Sequence, residues 1–125
     1  MQNVGIIGGG ASGLMAAITL KSKSPETKVT VFEKLDRVGK KIALTGNGRC
    51  NISNRNISIG NYHGSNPQFA EFALTHFDLS KTEEFFNSIG VVFKEENGGK
   101  LYPYSLQASS VTDALRFAAA KLDVK

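Results

Sequence analysis

Cysteine is almost missing from this chain: Cys50 is the single one in 125 residues. No disulfide can close within it and no CxxC redox pair exists, so a reducing, cytoplasmic setting is the expectation. Histidine is scarce too, and His63 and His76 stand at no metal-ligand spacing, so no metal site is expected. No apolar run approaches the roughly 18 residues of a membrane span, so no membrane partner is expected. The apolar opening from Val4 to Leu20 lacks a basic leader and carries five glycines. That composition suits a turn better than the apolar centre of a signal peptide. Neither an internal repeat nor a low-complexity segment is evident.

What remains has the balance of a globular domain, 41% apolar and 21% charged, with length for one hydrophobic core. The net charge of +4 is unevenly placed. Residues 34–55 carry Lys34, Arg37, Lys40, Lys41, Arg49 and Arg55 against Asp36, a local +5, which leaves −1 for the rest. Positive charge confined to one segment argues against a general nucleic-acid-binding surface.

The order of elements reads as α/β. Val4-Gly5-Ile6-Ile7 has the continuous apolar run of a fully buried strand. Ser12 to about Ser24 reads as a helix with Leu14, Met15, Ala17 and Ile18 on its apolar stripe, ended by Pro25. Lys28 to Glu33 is β-branched and strand-like. Together, residues 1–34 make a right-handed βαβ core. Residues 35–66 are rich in Gly, Asn, Ser and basic residues and read as a long functional loop. Residues 67–125 hold helices and a hairpin. Asn66-Pro67 starts a helix whose Phe69, Phe72, Ala73 and Phe77 are expected in the core. Ser80-Lys81-Thr82-Glu83 has a capping-box pattern, followed by Phe85, Phe86, Ile89 and a stop at Gly90. Val91–Lys94 and Lys100–Tyr102 flank Asn97-Gly98-Gly99 as a hairpin. Ser110–Asp113 opens a last helix with Val111, Leu115, Ala118 and Leu122 on one face.

The chemistry sits in the first turn. Gly8-Gly9-Gly10-Ala11-Ser12-Gly13 follows a strand and opens a helix, and Glu33 stands twenty residues beyond Gly13. In such a turn Gly8 permits the tight exit from the strand, Gly10 lets backbone approach a pyrophosphate, and Gly13 lets helix and strand pack closely. Free amides near Ala11 and Ser12 lie where the helix dipole favours phosphate. Glu33 is placed to accept hydrogen bonds from ribose hydroxyls, and its charge repels a 2′-phosphate. These contexts turn a common glycine pattern into a dinucleotide fingerprint.

Three further strings narrow the reading: Glu33-Lys34, Arg37-Val38-Gly39-Lys40-Lys41 and Thr45-Gly46-Asn47-Gly48-Arg49-Cys50-Asn51. With the glycine turn, Tyr102-Pro103-Tyr104 and the final helix, they resemble the bacterial BaiN/HI0933-like (YhiN) flavoproteins. These are NAD(P)/FAD-dependent oxidoreductases, or aminoacetone oxidase-like proteins, of glutathione-reductase-like fold. Lys40 stands where the commoner flavoprotein form has a second glycine. The resemblance implies an FAD-binding Rossmann-like unit whose basic loop wraps the cofactor, with NAD(P)H a possible electron donor. Gly46 and Gly48 would admit backbone to the cofactor and Arg49 would pair with phosphate. Asn51 would donate and accept, and Arg37 and Lys41 would add positive field. Cys50 reads as a packed thiol near the flavin rather than a reactive one.

Members of that group run to about 400 residues, so the resemblance implies an N-terminal part of the FAD domain. It ends before the strand expected at the adenine, with the rest of that domain and the substrate domain absent. Weak or no FAD binding and negligible turnover are expected of this part alone, with a complementing C-terminal chain as possible partner. Substrate and catalytic residues are unassigned. An NAD-binding Rossmann dehydrogenase fragment and a non-catalytic dinucleotide module or truncated remnant remain as alternatives.

Overall fold

The computed structural model describes residues 2–125. Strand β1 (Asn3–Ile7), helix α1 (Ala11–Lys23) and strand β2 (Lys28–Phe32) form the expected βαβ unit. β1 and β2 pair in parallel from Asn3 opposite Lys28 to Ile7 opposite Phe32. Helix α1 packs on this pair and buries Leu14, Ala17 and Ile18, the stripe that the sequence spacing picks out. Backbone bonds from the last residue extend the sheet: the Lys125 N–H donates to the Val29 carbonyl (3.0 Å) and the Val31 N–H donates to the Lys125 carbonyl (2.6 Å). That is the pattern of a parallel pairing. Lys125, beyond the last helix, thus pairs with β2 as a strand residue would.

Residues 42–48 and 59–61 form 3₁₀ turns, and β3 (Ser53–Asn54) pairs antiparallel with β5 (Lys100–Pro103), which pairs in turn with β4 (Phe93–Glu96). The segment read as an open loop thus contributes a strand, and the hairpin becomes a three-stranded sheet in the order β3-β5-β4. A 3₁₀ turn over Pro67–Ala70 leads into α2 (Glu71–His76), then α3 (Leu79–Ser88), and α4 (Ala108–Lys121) closes the chain. Helix α4 lies on α1 and on the 42–48 turn. The core between them holds Leu14, Ile18, Ile42, Cys50, Val91, Ala108, Val111, Leu115 and Ala119, with Phe85, Phe86 and Ile89 of the α3 region packed at its edge. No helix among the described residues is long and apolar enough to cross a membrane.

Five readings need correction. β1 is not fully buried: Ile7 is 86% exposed, because α1 covers one face of the pair. The rings of Phe69, Phe72 and Phe77 are exposed rather than in the core; α2 is too short to lay an aromatic stripe across a neighbour, and Phe72 stacks instead on its own His76, 3.9 Å between ring centres. The cap of α3 is Asp78, whose carboxylate accepts from the Lys81 N–H at 2.9 Å. It takes the helix-start role assigned to Ser80, since a side chain two residues earlier reaches the free amides first. The fourth strand begins at Phe93, two residues after Val91, because Val91 turns into the core. Helix α4 starts at Ala108, before Ser110, because Ala108 is itself buried in the helix–helix contact.

Candidate functional site

The glycine turn leaves β1 at its carboxyl end, and Glu33–Leu35 leave β2 at the same edge. In open α/β sheets that edge is where ligands bind. A cleft of about 390 Å³ lies there, lined by Gly8, Gly9, Gly10, Glu33, Lys34, Leu35, Gly39, Lys40 and Lys41. A second cleft of about 370 Å³, lined by Gly90, Val91, Val92, Pro103, Tyr104, Ser105 and Ser110, carries no charged group. Similar size with different chemistry makes the first the candidate for an anionic ligand.

Each glycine of the turn has its own reason. A side chain at Gly13 would overlap the carbonyl oxygen of Gly8, so α1 can pack this close only without one. At Gly10 nothing lies within 4 Å of where a Cβ would stand, so open space there faces the backbone. Gly10 is also the N-cap of α1 and provides no side-chain cap, and the first turn holds no acid. The first-turn amides therefore lack intrahelical partners and the positive end of the dipole is uncompensated. Ala11 and Ser12 lie exposed on that turn.

Gly9, the position the fingerprint leaves free, is buried and tied on both sides. Its N–H donates to Glu33 Oε2 at 2.8 Å and its carbonyl accepts from the Gly39 N–H at 2.8 Å. A Cβ there would overlap Val38 and come within 3.3 Å of Glu33 Oε2. The other oxygen of Glu33 accepts from the Leu35 N–H at 2.9 Å. The amides of Leu35 and Gly9 hold this carboxyl below the usual carboxylate range, aided by the charge of Lys41. Gly9, Leu35, Val38 and Gly39 were not among the expected site residues; the third consecutive glycine, where the fingerprint calls for only two of the three, was the available signal.

The basic loop divides. Lys40 pairs with Asp36 at 2.6 Å, Arg49 with Glu96 at 2.9 Å, and Arg55 with Glu83 and Glu95 at 2.7 and 3.2 Å. Lys34, Arg37 and Lys41 form no ion pair among the described residues, and Lys34 and Lys41 line the glycine cleft. The unpaired positive charge is thus partly focused where the helix N-terminus already favours an anion. Arg37 is exposed and is not one of the lining residues.

The expected second half of the site lies apart from this cleft. Arg49 stacks over the Tyr102 ring, 4.5 Å to its centre, and lines a separate charged groove with Lys94, Glu96 and Lys100. The space a side chain would take at Gly46 is filled by the Asn51 backbone and Tyr102, whereas Gly48 faces open space. The Asn51 amide faces the carbonyls of Leu101 and Ser53; assigned with its nitrogen on that side, which their acceptor character requires, it donates to both, at 3.2 and 2.9 Å. Cys50 is buried in the core, and burial pushes its thiol up, opposed by the Thr45 hydroxyl. That environment suits a packed thiol, not a thiolate nucleophile. No cluster of three or more potential metal ligands occurs among the described residues.

A parallel βαβ unit with a glycine turn, an acid at the end of β2 and a cleft between them defines a Rossmann-type nucleotide-binding domain. Residues 2–125 match the HI0933-like protein Rossmann domain, and the chain belongs to that family. It is 43% identical over its whole length to a 3-dehydro-bile acid delta(4,6)-reductase of Clostridium scindens, covering 30% of that protein. Over 97 residues, 78% of this chain, it is 32% identical to a ribosomal RNA dihydrouridine synthase of Haemophilus influenzae, covering 24% of it. The chain therefore spans less than a third of the length of these relatives. Among solved structures, THI4 of Thermovibrio ammonificans superposes with a TM-score of 0.60 at 20% identity, over 99% of this chain and 37% of that one. That likeness concerns the fold.

Proposed function

We propose that this chain is the FAD-binding portion of a flavin-dependent oxidoreductase and holds the ADP half of the cofactor. The observation that carries this is the glycine cleft: an uncapped helix N-terminus, open space at Gly10, Glu33 and the free lysines Lys34 and Lys41 converge on it. The residues present fit the group. First-turn amides of Ala11 and Ser12 would receive the pyrophosphate, Lys34 and Lys41 would add charge, and Glu33 would take the ribose hydroxyls on its remaining lone pairs. Arg37, Gly46, Arg49, Cys50 and Asn51 belong to the reading through the family resemblance, with Gly48 the open position in their loop. Bound flavin supplies the hydride or electron transfer; this chain binds and orients it. NAD(P)H as electron donor and a complementing C-terminal chain complete the proposal. The relatives' names span a bile acid and ribosomal RNA, so the substrate is left unassigned.

The test is a titration of the chain with ADP, FAD and NADP⁺, read on the backbone amide resonances. ADP and FAD should shift the signals of Gly8–Gly13 and Glu33–Lys41 alike, with dissociation constants on the order of 1 mM, the affinity of a half-site with few contacts. NADP⁺ should bind more weakly because Glu33 repels the 2′-phosphate. Shifts confined to the Tyr104 cleft would sink the reading. Flavin absorbance in a chain of the relatives' length that carries these residues decides between FAD and NAD.

A further inference from the structure

We propose that Glu33 is a positioning residue for the glycine turn, setting the Gly9 peptide in place before any nucleotide arrives. The inference rests on the dinucleotide reading of the cleft and adds a second duty to a residue otherwise assigned to the ribose. Its two oxygens are divided between two backbone amides: Gly9 at 2.8 Å, 24 residues away in sequence, and Leu35 at 2.9 Å, two residues away. The first bond crosses from β2 to the turn after β1; the second fixes the chain that leaves β2. Both are charge-assisted, the stronger kind of hydrogen bond. The other side of the Gly9 peptide is held by the Gly39 N–H, and Val38 packs where a Cβ would be. Gly9 is thereby held between residues 33 and 39, and its neighbour Gly10 caps α1. Removing the carboxylate frees the peptide on one side, two residues before the first of the amides that would receive phosphate. The ribose duty uses the lone pairs left over, since an ionised carboxylate has about four acceptor sites.

The test is amide hydrogen exchange on the nucleotide-free chain, with Glu33→Ala and Glu33→Gln. The Gly8 N–H, which donates to the Phe32 carbonyl at 2.8 Å, is the internal reference. In Glu33→Ala the Gly9 and Leu35 amides should exchange about tenfold faster or more, the loss of a bond to a charged acceptor, while Gly8 changes by less than about threefold. In Glu33→Gln at least one of the two should accelerate, because an amide side chain has a single acceptor oxygen. If the alanine variant does not fold, the glutamine variant decides. Inorganic pyrophosphate, which has no ribose, supplies the second readout. Its affinity should fall at least about twofold in both variants, although a repelling charge has been removed. Parental exchange rates, equal acceleration of Gly8, Gly9 and Leu35, or tighter pyrophosphate binding would each overturn the proposal. The exchange experiment contains no nucleotide, so its failure is distinct from a failure of the ADP titration.

Discussion

Gly13→Ala and Gly10→Ala differ by one methyl group each, three residues apart, and should behave oppositely. At Gly13 the new Cβ would overlap the Gly8 carbonyl oxygen and stand 3.1 Å from its carbon. Contacts between heavy atoms are favourable at about 3.5–4.0 Å, so the helix must move on the order of 1 Å off the turn. Neither side yields easily. The Gly8 N–H is bonded to Phe32 on β2, and α1 is seated by the buried Leu14, Ala17 and Ile18. Overpacking of this kind costs about 1–3 kcal/mol, and more where backbone meets backbone. The better helix propensity of alanine returns up to about 1 kcal/mol. A net loss of about 2 kcal/mol follows, and at about 1–3 kcal/mol per molar urea the midpoint should fall by about 1 M with an unchanged slope. Gly10→Ala meets nothing within 4 Å and keeps an ordinary backbone angle, φ −80°. It should stay within about 1 kcal/mol of the parent, yet weaken ADP binding by crowding the phosphate approach. Urea unfolding followed by circular dichroism, with ADP titration of the same variants, reads both effects. A Gly13→Ala midpoint equal to the parent's, or a Gly10→Ala variant as unstable as Gly13→Ala, would refute the steric reasoning.

Two other outcomes follow. Phe69→Ser with Phe72→Ser, at sites 84% and 71% exposed, should cost less than about 1 kcal/mol and reduce binding of a hydrophobic dye; a loss of several kcal/mol would return these rings to the core. Because the folded pKa of Glu33 is lowered by the Leu35 and Gly9 amides, its contribution is present above the unfolded carboxylate pKa and is lost as pH falls through the folded one. The melting temperature of the parent should therefore exceed that of Glu33→Gln at about pH 7, and the gap should narrow as the pH falls below the ordinary carboxylate range; a gap of constant size across that fall would contradict this.

The βαβ unit was legible because its signals are local: the glycine string, the stripe Leu14–Ile18, Pro25 and the β-branched run at 28–32 all point the same way. The hairpin at Asn97–Gly99 was legible for the same reason, with Gly98 and Gly99 both at positive φ. Burial of the aromatic residues was not, since period alone cannot say whether a facing surface exists. Phe85 and Phe86 find one, and Phe69 and Phe72 do not. The pairing of β3 with β5 was hidden because two residues in a Gly- and Asn-rich stretch carry no strand pattern. In the candidate site, the close packing at Gly13 and the open space at Gly10 follow from the turn's own geometry, whereas the bond from Gly9 to Glu33 spans 24 residues. Glu96 and Tyr102, the partners of Arg49, come from β4 and β5, more than forty residues on, and no spacing rule reaches that far.

The bond between Gly9 and Gly39 has a practical meaning for protein engineering. A fingerprint of this kind invites treatment as a cassette, copied from one scaffold into another to confer nucleotide affinity. Here the middle of the cassette is braced by residues 33, 38 and 39, so its shape is not encoded by its own six letters. A chimera that imports residues 8–13 without 33–39 would carry the glycines in the right order and leave their central peptide free to swing; one that imports both segments would carry the bracing with the recognition.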